Sequence, residues 1–150
     1  TKKQEVLFYR ETVANGILQE LLLPADQEVT CGVFRSTAGR VAVVQLLRKL
    51  TGGFTGWAQV IHNEAIYNQC VKLAESLRLR GSINVQLRIT EDGPRIFEIN
   101  PRFSSTVLMR HRMGFSDLMW SIADLYQQPF EIDSPAVGTT AVRLQGAQLL

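Results

Sequence analysis

Oxygen-bearing side chains recur at alternate positions in two short runs of the sequence. Asn84 and Gln86 are separated by one residue, and Glu98 and Asn100 repeat that spacing further along. Side chains two residues apart on a β-strand point to the same face. Carboxylate and amide oxygens suit a hard cation such as Mg²⁺, which proteins usually hold with one or two carboxylates plus substrate phosphates. The spacing therefore predicts a cluster of metal ligands, with Arg102 just beyond its edge.

A β-hairpin is the element that would bring these pairs together. The residues on both sides of 91–93 alternate as strands do, and a three-residue loop with Gly93 in the left-handed conformation is a common hairpin connection. The expected register pairs Gln86 with Glu98 and Asn84 with Asn100, and it turns Phe97 and Ile99 to the opposite face. The same pattern also describes the solvated outer face of an ordinary half-buried hairpin.

The amino-acid sequence of this hairpin resembles a known signature. Asn-Val-Gln followed by Phe-Glu-Ile-Asn-Pro-Arg closely resembles the C-terminal metal-binding signature of ATP-grasp enzymes, and is nearest to the large subunit of carbamoyl phosphate synthetase and related proteins. The resemblance implies ATP and Mg²⁺, with Mn²⁺ as an alternative metal, and the implied metal ligands are Gln86, Glu98 and Asn100. It also implies that Arg102 contacts the transferred phosphoryl group or the acyl substrate, and that Asn84 faces the substrate.

A second segment, residues 16–34, resembles the ATP-grasp hinge, where one strand ends beside the adenine and another leaves. The resemblance assigns the adenine edge to Gln19, Glu20, Leu21 and Leu22, and the ribose hydroxyls to Glu28. A carboxylate accepts hydroxyl hydrogen bonds well, because charge-assisted bonds are the stronger kind. The alternative is a plain hairpin with a polar turn at 24–27 and a solvated Glu28.

The segment 48–58 carries three glycines after the basic pair Arg48 and Lys49. Glycines permit close approach of backbone amides to phosphate oxygens. In ATP-grasp proteins a flexible segment near the triphosphate or the substrate falls at the matching position. No Gly-Lys-Ser or Gly-Lys-Thr follows, so this is not a Walker sequence. A structural turn explains the glycines equally well.

Composition excludes several classes of protein. The chain has 150 residues, 45% hydrophobic and 20% charged, with a net charge of +2 and no basic stripe, which argues against a nucleic-acid partner. No apolar run approaches the length of a membrane span, and the first residues are not a signal peptide. Cys31 and Cys70 lack metal or redox spacing and are expected to be free, buried thiols. These features predict a cytoplasmic protein.

The pattern of apolar residues predicts a strand-rich first half and helices later. Asn63 is expected to cap a helix that runs to about Leu79 and ends at Gly81, and Ser116 to cap another. The predicted strands, besides the hairpin, are 5–11, 16–23, 28–35, 40–47 and 139–144, and the later helices are 106–112 and 116–127.

These elements predict an α+β fold with a largely antiparallel sheet and helices packed on one face. Such a fold resembles the C-terminal lobe of ATP-grasp enzymes, and residues 1–150 are expected to form that single lobe. The family holds ATP between two lobes, so the N-terminal lobe, and a preceding domain, are expected elsewhere in the polypeptide or in a separate chain.

The resemblance implies an ATP- and magnesium-dependent ligase that joins a small carboxylate, or bicarbonate, to an amine through an acyl phosphate. This chain alone is expected to be inactive. Two alternatives stay open on the residues: a non-catalytic ATP-binding or regulatory lobe, and a structural interaction domain whose polar hairpin is merely solvated.

Overall fold

A single antiparallel sheet organises the molecule. The computed structural model describes residue 4 and residues 16–144. The strands are β1 (Glu28–Arg35), β2 (Val41–Thr51), β3 (Phe54–Ile61), β4 (Gly81–Thr90), β5 (Gly93–Asn100) and β6 (Thr140–Val142), and the helices are α1 (Glu64–Ser76), α2 (Val107–Arg112) and α3 (Asp117–Leu125). The strand order is β5-β4-β1-β2-β3-β6, and every neighbouring pair is antiparallel.

One face of the sheet, here called the α1 face, is apolar. Alternate residues of two adjacent inner strands, β1 and β4, turn toward α1, which buries its own small and apolar side chains against them. All of these side chains are at most 4% exposed. The buried cluster is Val29, Cys31, Val33, Ile83, Val85 and Leu87 from the strands with Ile66, Cys70 and Ala74 from the helix.

The opposite face, here called the α3 face, is divided. Around the end of β1 near Phe34, the sheet packs against Phe115 and against Trp120 of α3, with ring centroids of Phe34 and Trp120 5.6 Å apart. Toward the start of β1, the same face carries polar side chains, beginning with Glu28. The α3 face is therefore apolar beside α3 and polar toward the start of β1, where Glu28 and Thr30 are nevertheless buried.

The hairpin between β2 and β3 explains the glycine-rich segment. The two strands continue to Thr51 and from Phe54, so the connection is only Gly52 and Gly53, with φ of 58° and 82°. Two-residue hairpin turns of this type require positive φ at both positions, which glycine adopts without strain. The structural turn is therefore present, and a contact with phosphate stays a prediction.

The fold class is confirmed as an α+β arrangement on an antiparallel sheet, but the helices lie on both faces rather than one. The segment 16–23, predicted as a strand, contains no strand, and the predicted strand 5–11 lies outside the described residues. The first helix stops at Ser76, because Arg78 adopts a positive φ of 46°. Gly81 begins β4 instead of ending the helix.

Of the two predicted helix caps, one is present and one is absent. The Asn63 side chain accepts a hydrogen bond from the Ile66 amide at 3.2 Å, which confirms the cap of α1. Ser116 makes no such bond, and its hydroxyl instead lies 2.9 Å from Nδ1 of His111. Among residues 16–144, no helix is long and apolar enough to cross a membrane.

Candidate nucleotide and metal site

The predicted hairpin register is confirmed. Gln86 pairs with Glu98 and Asn84 pairs with Asn100, and Gly93 has a φ of 99°. A bulge follows Gln86, so one residue of β5 is left unpaired. As a result the Phe97 ring lies 5.8 Å from the Arg88 guanidinium instead of on the opposite face, where simple alternation predicted it.

The end of β5 presents an exposed row of oxygens. Asn100 donates its amide N–H to Glu98 Oε1 at 2.9 Å, and Arg102 donates to Asn100 Oδ1 at 3.4 Å. Gln86 lies across the strand pair from Glu98. One carboxylate and two amide oxygens suit a hard cation that retains water or phosphate ligands. In the described part of the chain no three His, Cys, Asp or Glu residues cluster, so any metal site here depends on these amides.

Asn84 lies on β4 opposite Asn100, and it is buried, unlike the exposed oxygens at the end of β5. It is 1% exposed, and its Oδ1 accepts a hydrogen bond from the Thr30 hydroxyl at 2.9 Å. This bond fixes the orientation of the amide, because a buried polar group left unpaired is costly. Asn84 therefore lies on the predicted face, although its predicted contact with substrate stays a prediction.

Glu28 sits between two arginines in one cross-strand row. Arg48 Nε donates to Glu28 Oε1 at 2.9 Å, and Arg88 Nη2 donates to Glu28 Oε2 at 2.6 Å. The three side chains are only 9–13% exposed. The alternative of a solvated Glu28 is therefore wrong. A carboxylate has about four acceptor sites, so a ribose hydroxyl can still be accommodated.

The hinge segment packs beside this row. Leu22 accepts a hydrogen bond at its carbonyl from Arg88, and Gln19 donates to the Phe97 carbonyl at 3.1 Å. Residues 20–24 line a cleft of about 510 Å³ together with the hairpin turn at 90–92. Arg95 also lines the cleft, and its Nη2 lies 3.4 Å from Oε2 of Glu20. All four predicted hinge residues thus lie beside one cleft or its neighbour.

A buried ion pair separates the polar half of the α3 face from the apolar half. Arg110 and Asp117 are fully buried, with Nη2 and Oδ2 3.4 Å apart, and Asp117 also accepts from the Ser82 hydroxyl at 2.6 Å. Burial lowers the pKa of Arg110, and the Asp117 carboxylate opposes that shift. The guanidinium fills the space above Gly32, where an added Cβ would lie 2.0 Å from Nη1.

Sequence reasoning did not find these supporting contacts. Arg48 was recognised only as a basic residue beside the glycine-rich segment, and Arg110 and Thr30 carried no signal. Alternation identifies which residues share a face within one strand, but it does not fix the register between β1 and β2. That register brings Arg48 to Glu28.

A family model described as "ATP-grasp in the biosynthetic pathway with Ter operon" matches residues 14–146. A search of curated protein sequences found no match.

Solved structures share the fold at low sequence identity. The N5-carboxyaminoimidazole ribonucleotide synthetase from Thermus thermophilus has 17% identity and a TM-score of 0.75 over 99% of this chain and 44% of its own. The Staphylococcus aureus N5-carboxyaminoimidazole synthetase complexed with ADP has 18% identity and a TM-score of 0.67 over 85% of this chain and 36% of its own. The Aquifex aeolicus phosphoribosylaminoimidazole carboxylase ATPase subunit has 20% identity and a TM-score of 0.63 over 73% of this chain and 35% of its own.

The chain therefore spans less than half the length of the solved proteins that it resembles. At this level of identity the likeness establishes the fold.

Proposed function

The chain belongs to the ATP-grasp family, and from that premise we propose that it is the nucleotide- and metal-binding lobe of an ATP-dependent ligase. The proposed reaction transfers the terminal phosphoryl group of ATP to an oxygen of a small carboxylate or of bicarbonate, which releases ADP. An amine nitrogen then attacks the acyl carbon, and phosphate leaves. Phosphoryl transfer of this kind depends mostly on positioning and charge neutralisation.

The observation that carries the proposal is the pairing of Gln86 with Glu98 and Asn84 with Asn100 across the β4–β5 hairpin. Glu98, Gln86 and Asn100 are the proposed ligands of Mg²⁺ or Mn²⁺, and a bound metal would neutralise charge on the phosphates. Arg102 lies next to this row, 3.4 Å from Asn100 Oδ1, and is proposed to offset charge that develops on the transferred phosphoryl oxygens.

The cleft beside the hinge is the proposed adenine site. Its backbone at Leu21 and Leu22 offers amide and carbonyl groups of the kind that read an adenine edge, and Gln19 and Glu20 flank them. Glu28 is the proposed ribose contact, using the acceptor capacity that the two arginines leave free.

The identities of the acceptor and donor substrates are a more specific part of the proposal than the ligase class. The resemblance to carbamoyl phosphate synthetase stays a prediction. Two of the solved structures are N5-carboxyaminoimidazole-type synthetases, and the third is a phosphoribosylaminoimidazole carboxylase ATPase subunit. We also propose that an N-terminal lobe, in the same polypeptide or in a partner chain, completes the nucleotide site. This is consistent with the fraction of those proteins that the chain covers.

Substitution of Glu98 by Gln in the full native polypeptide tests the metal role. We expect a loss of ATP turnover of at least about a hundredfold, because a charge-neutralising ligand acts on the transition state. Since Glu98 is exposed, the free energy of unfolding should change by no more than about 0.5 kcal/mol. Glu75→Gln, on an exposed turn of α1, is the matched control and should leave turnover unchanged.

Calorimetric titration of Mg²⁺–ATP separates the alternatives. Binding by the native polypeptide and weaker binding by this chain support a site shared between two lobes. Binding without turnover in the native polypeptide favours a non-catalytic or regulatory lobe. Metal binding that survives Glu98→Ala, with no nucleotide bound by either protein, favours a structural interaction domain.

A further inference from the structure

The polar half of the α3 face carries an excess of buried positive charge. Among residues 16–144, Arg48 and Arg88 share one carboxylate, that of Glu28, and all three side chains are about nine-tenths buried. A pair of cations that shares a single anion leaves one positive charge uncompensated, and burying such a charge is unfavourable. Glu98, one row further along, is exposed and is itself a proposed metal ligand, so it cannot offset this charge once a metal binds.

The two arginines point to different ends of the proposed nucleotide site. Arg88 donates to the Leu22 carbonyl in the hinge. Arg48 donates through Nη2 to Gln86 Oε1 at 2.7 Å and through Nη1 to the Thr55 hydroxyl at 3.4 Å. A continuous series of hydrogen bonds therefore runs from the hinge backbone through Glu28 to the proposed metal ligand.

The Arg48–Gln86 bond uses the oxygen that a metal would need. A guanidinium and a divalent cation on the same amide oxygen repel each other, and the repulsion is large in a partly buried site. Arg48 has a second anchor, because its Nε donates to Glu28 Oε1 independently of Gln86. The guanidinium can therefore leave Gln86 while its position beside the site is maintained.

We propose that Arg48 is a phosphate-binding residue of the nucleotide site, and that it releases Gln86 to the metal when the nucleotide binds. In the nucleotide-free protein the guanidinium occupies the Gln86 oxygen and competes with the metal. In the complex it donates to phosphate oxygens, which supply the missing negative charge. This inference rests on the proposed function and adds to it a ligand for the polyphosphate and an order of events.

Arg48→Met and Arg48→Lys in the full native polypeptide test the proposal. Folding should survive in both, since Glu28 keeps its pair with Arg88. We expect Arg48→Met to weaken ATP and ADP binding at least about tenfold, because the phosphates lose a charge-assisted bond. Adenosine binding should change less than about twofold, because Arg88 still holds Glu28, the proposed ribose contact. Arg48→Lys should keep part of the affinity, since it retains the charge without the planar fork. Arg80→Met, at an exposed position, is the control.

A second measurement gives an effect of opposite sign. Binding of Mn²⁺ alone, followed by its electron paramagnetic resonance signal, should strengthen about tenfold in Arg48→Met, because the competing cation is gone. A purely structural arginine would not strengthen metal binding when removed.

The outcomes distinguish this inference from the proposed function. Equal losses for ATP, ADP and adenosine, or unchanged ATP affinity in Arg48→Met, would overturn the role of Arg48 and leave the nucleotide site standing. Unchanged or weaker Mn²⁺ binding in Arg48→Met would overturn the competition at Gln86. A native protein that binds neither adenosine nor ATP would overturn both proposals.

Discussion

The two faces of the central strands are built from alternate residues of the same segments, yet they follow different rules. On β4, the residues that meet α1 are Ile83, Val85 and Leu87, and each is apolar and at most 4% exposed. The residues that alternate with them, on the α3 face, are all polar: Ser82, Asn84, Gln86 and Arg88. One face depends on apolar burial, and the other depends on the hydrogen bonds that each polar group finds.

This difference indicates which positions of the sheet tolerate amino-acid substitution. The α1 face needs side chains of suitable size, and cores accept volume-conserving hydrophobic exchanges at modest cost. The polar half of the α3 face needs specific partners, because Glu28 and Asn84 are buried and each is hydrogen-bonded by residues from other strands. Substitutions on the two faces should therefore differ in kind as well as in size.

The largest effect is expected where charge is buried most deeply. Asp117→Ala leaves the Arg110 guanidinium buried without its anion and should lower the free energy of unfolding by about 4 kcal/mol. Urea denaturation measures this, with exposed Asp133→Ala as the control. Addition of Arg110→Met should recover part of the loss; a double variant no more stable than Asp117→Ala would contradict the account of the pair.

Two adjacent residues of β4 give the sharpest contrast between the faces. Leu87→Ala removes a fully buried side chain from the α1 face and should cost about 3 kcal/mol of stability, with little change in nucleotide affinity per folded molecule. Gln86→Ala should cost less than about 1 kcal/mol and should weaken Mg²⁺–ATP binding. Denaturation and calorimetry on both variants test the contrast, which fails if the two changes affect binding equally.

The smallest effect concerns the thiols of the α1 face. A hydrogen bond with Cys70 raises the pKa of Cys31 well above its ordinary value, and burial raises it further. The thiolate is the reactive form, so Cys31 should resist alkylation in the folded protein. Mass spectrometry after brief iodoacetamide treatment at mildly alkaline pH should find Cys31 unmodified without denaturant and modified in urea. Rapid native labelling would show that the α1 face opens.

The sequence predicted the hairpin well, because its information is local. The spacing of Gln86, Glu98 and Asn100, with a turn at Gly93, determines both the face and the pairing. The bulge that turns Phe97 toward Arg88 was missed, since the alternation alone does not identify which residue stays unpaired.

Contacts between distant strands were beyond prediction from the residues. The surroundings of Glu28 depend on β2 and β4 lying on either side of β1, and no spacing within a segment encodes that order. The segment 16–23 was predicted as a strand, but it forms none, and the Leu22 carbonyl accepts a hydrogen bond from the Arg88 side chain instead. Nothing in the sequence around Gly32 predicted that the Arg110 guanidinium would pack against it.

The pairing of β1 with β4 also has a consequence for how the chain folds. The contact of Glu28 with Arg48 closes 20 residues, whereas its contact with Arg88 closes 60. By loop-closure entropy the longer loop costs about 1 kcal/mol more, and non-local pairings of this kind slow folding. The β1–β3 meander and the β4–β5 hairpin can each form early, but the row at Glu28 exists only after they dock. A nucleotide bound at the proposed site would therefore accelerate no step before docking, and would act by slowing the separation of the two halves afterwards.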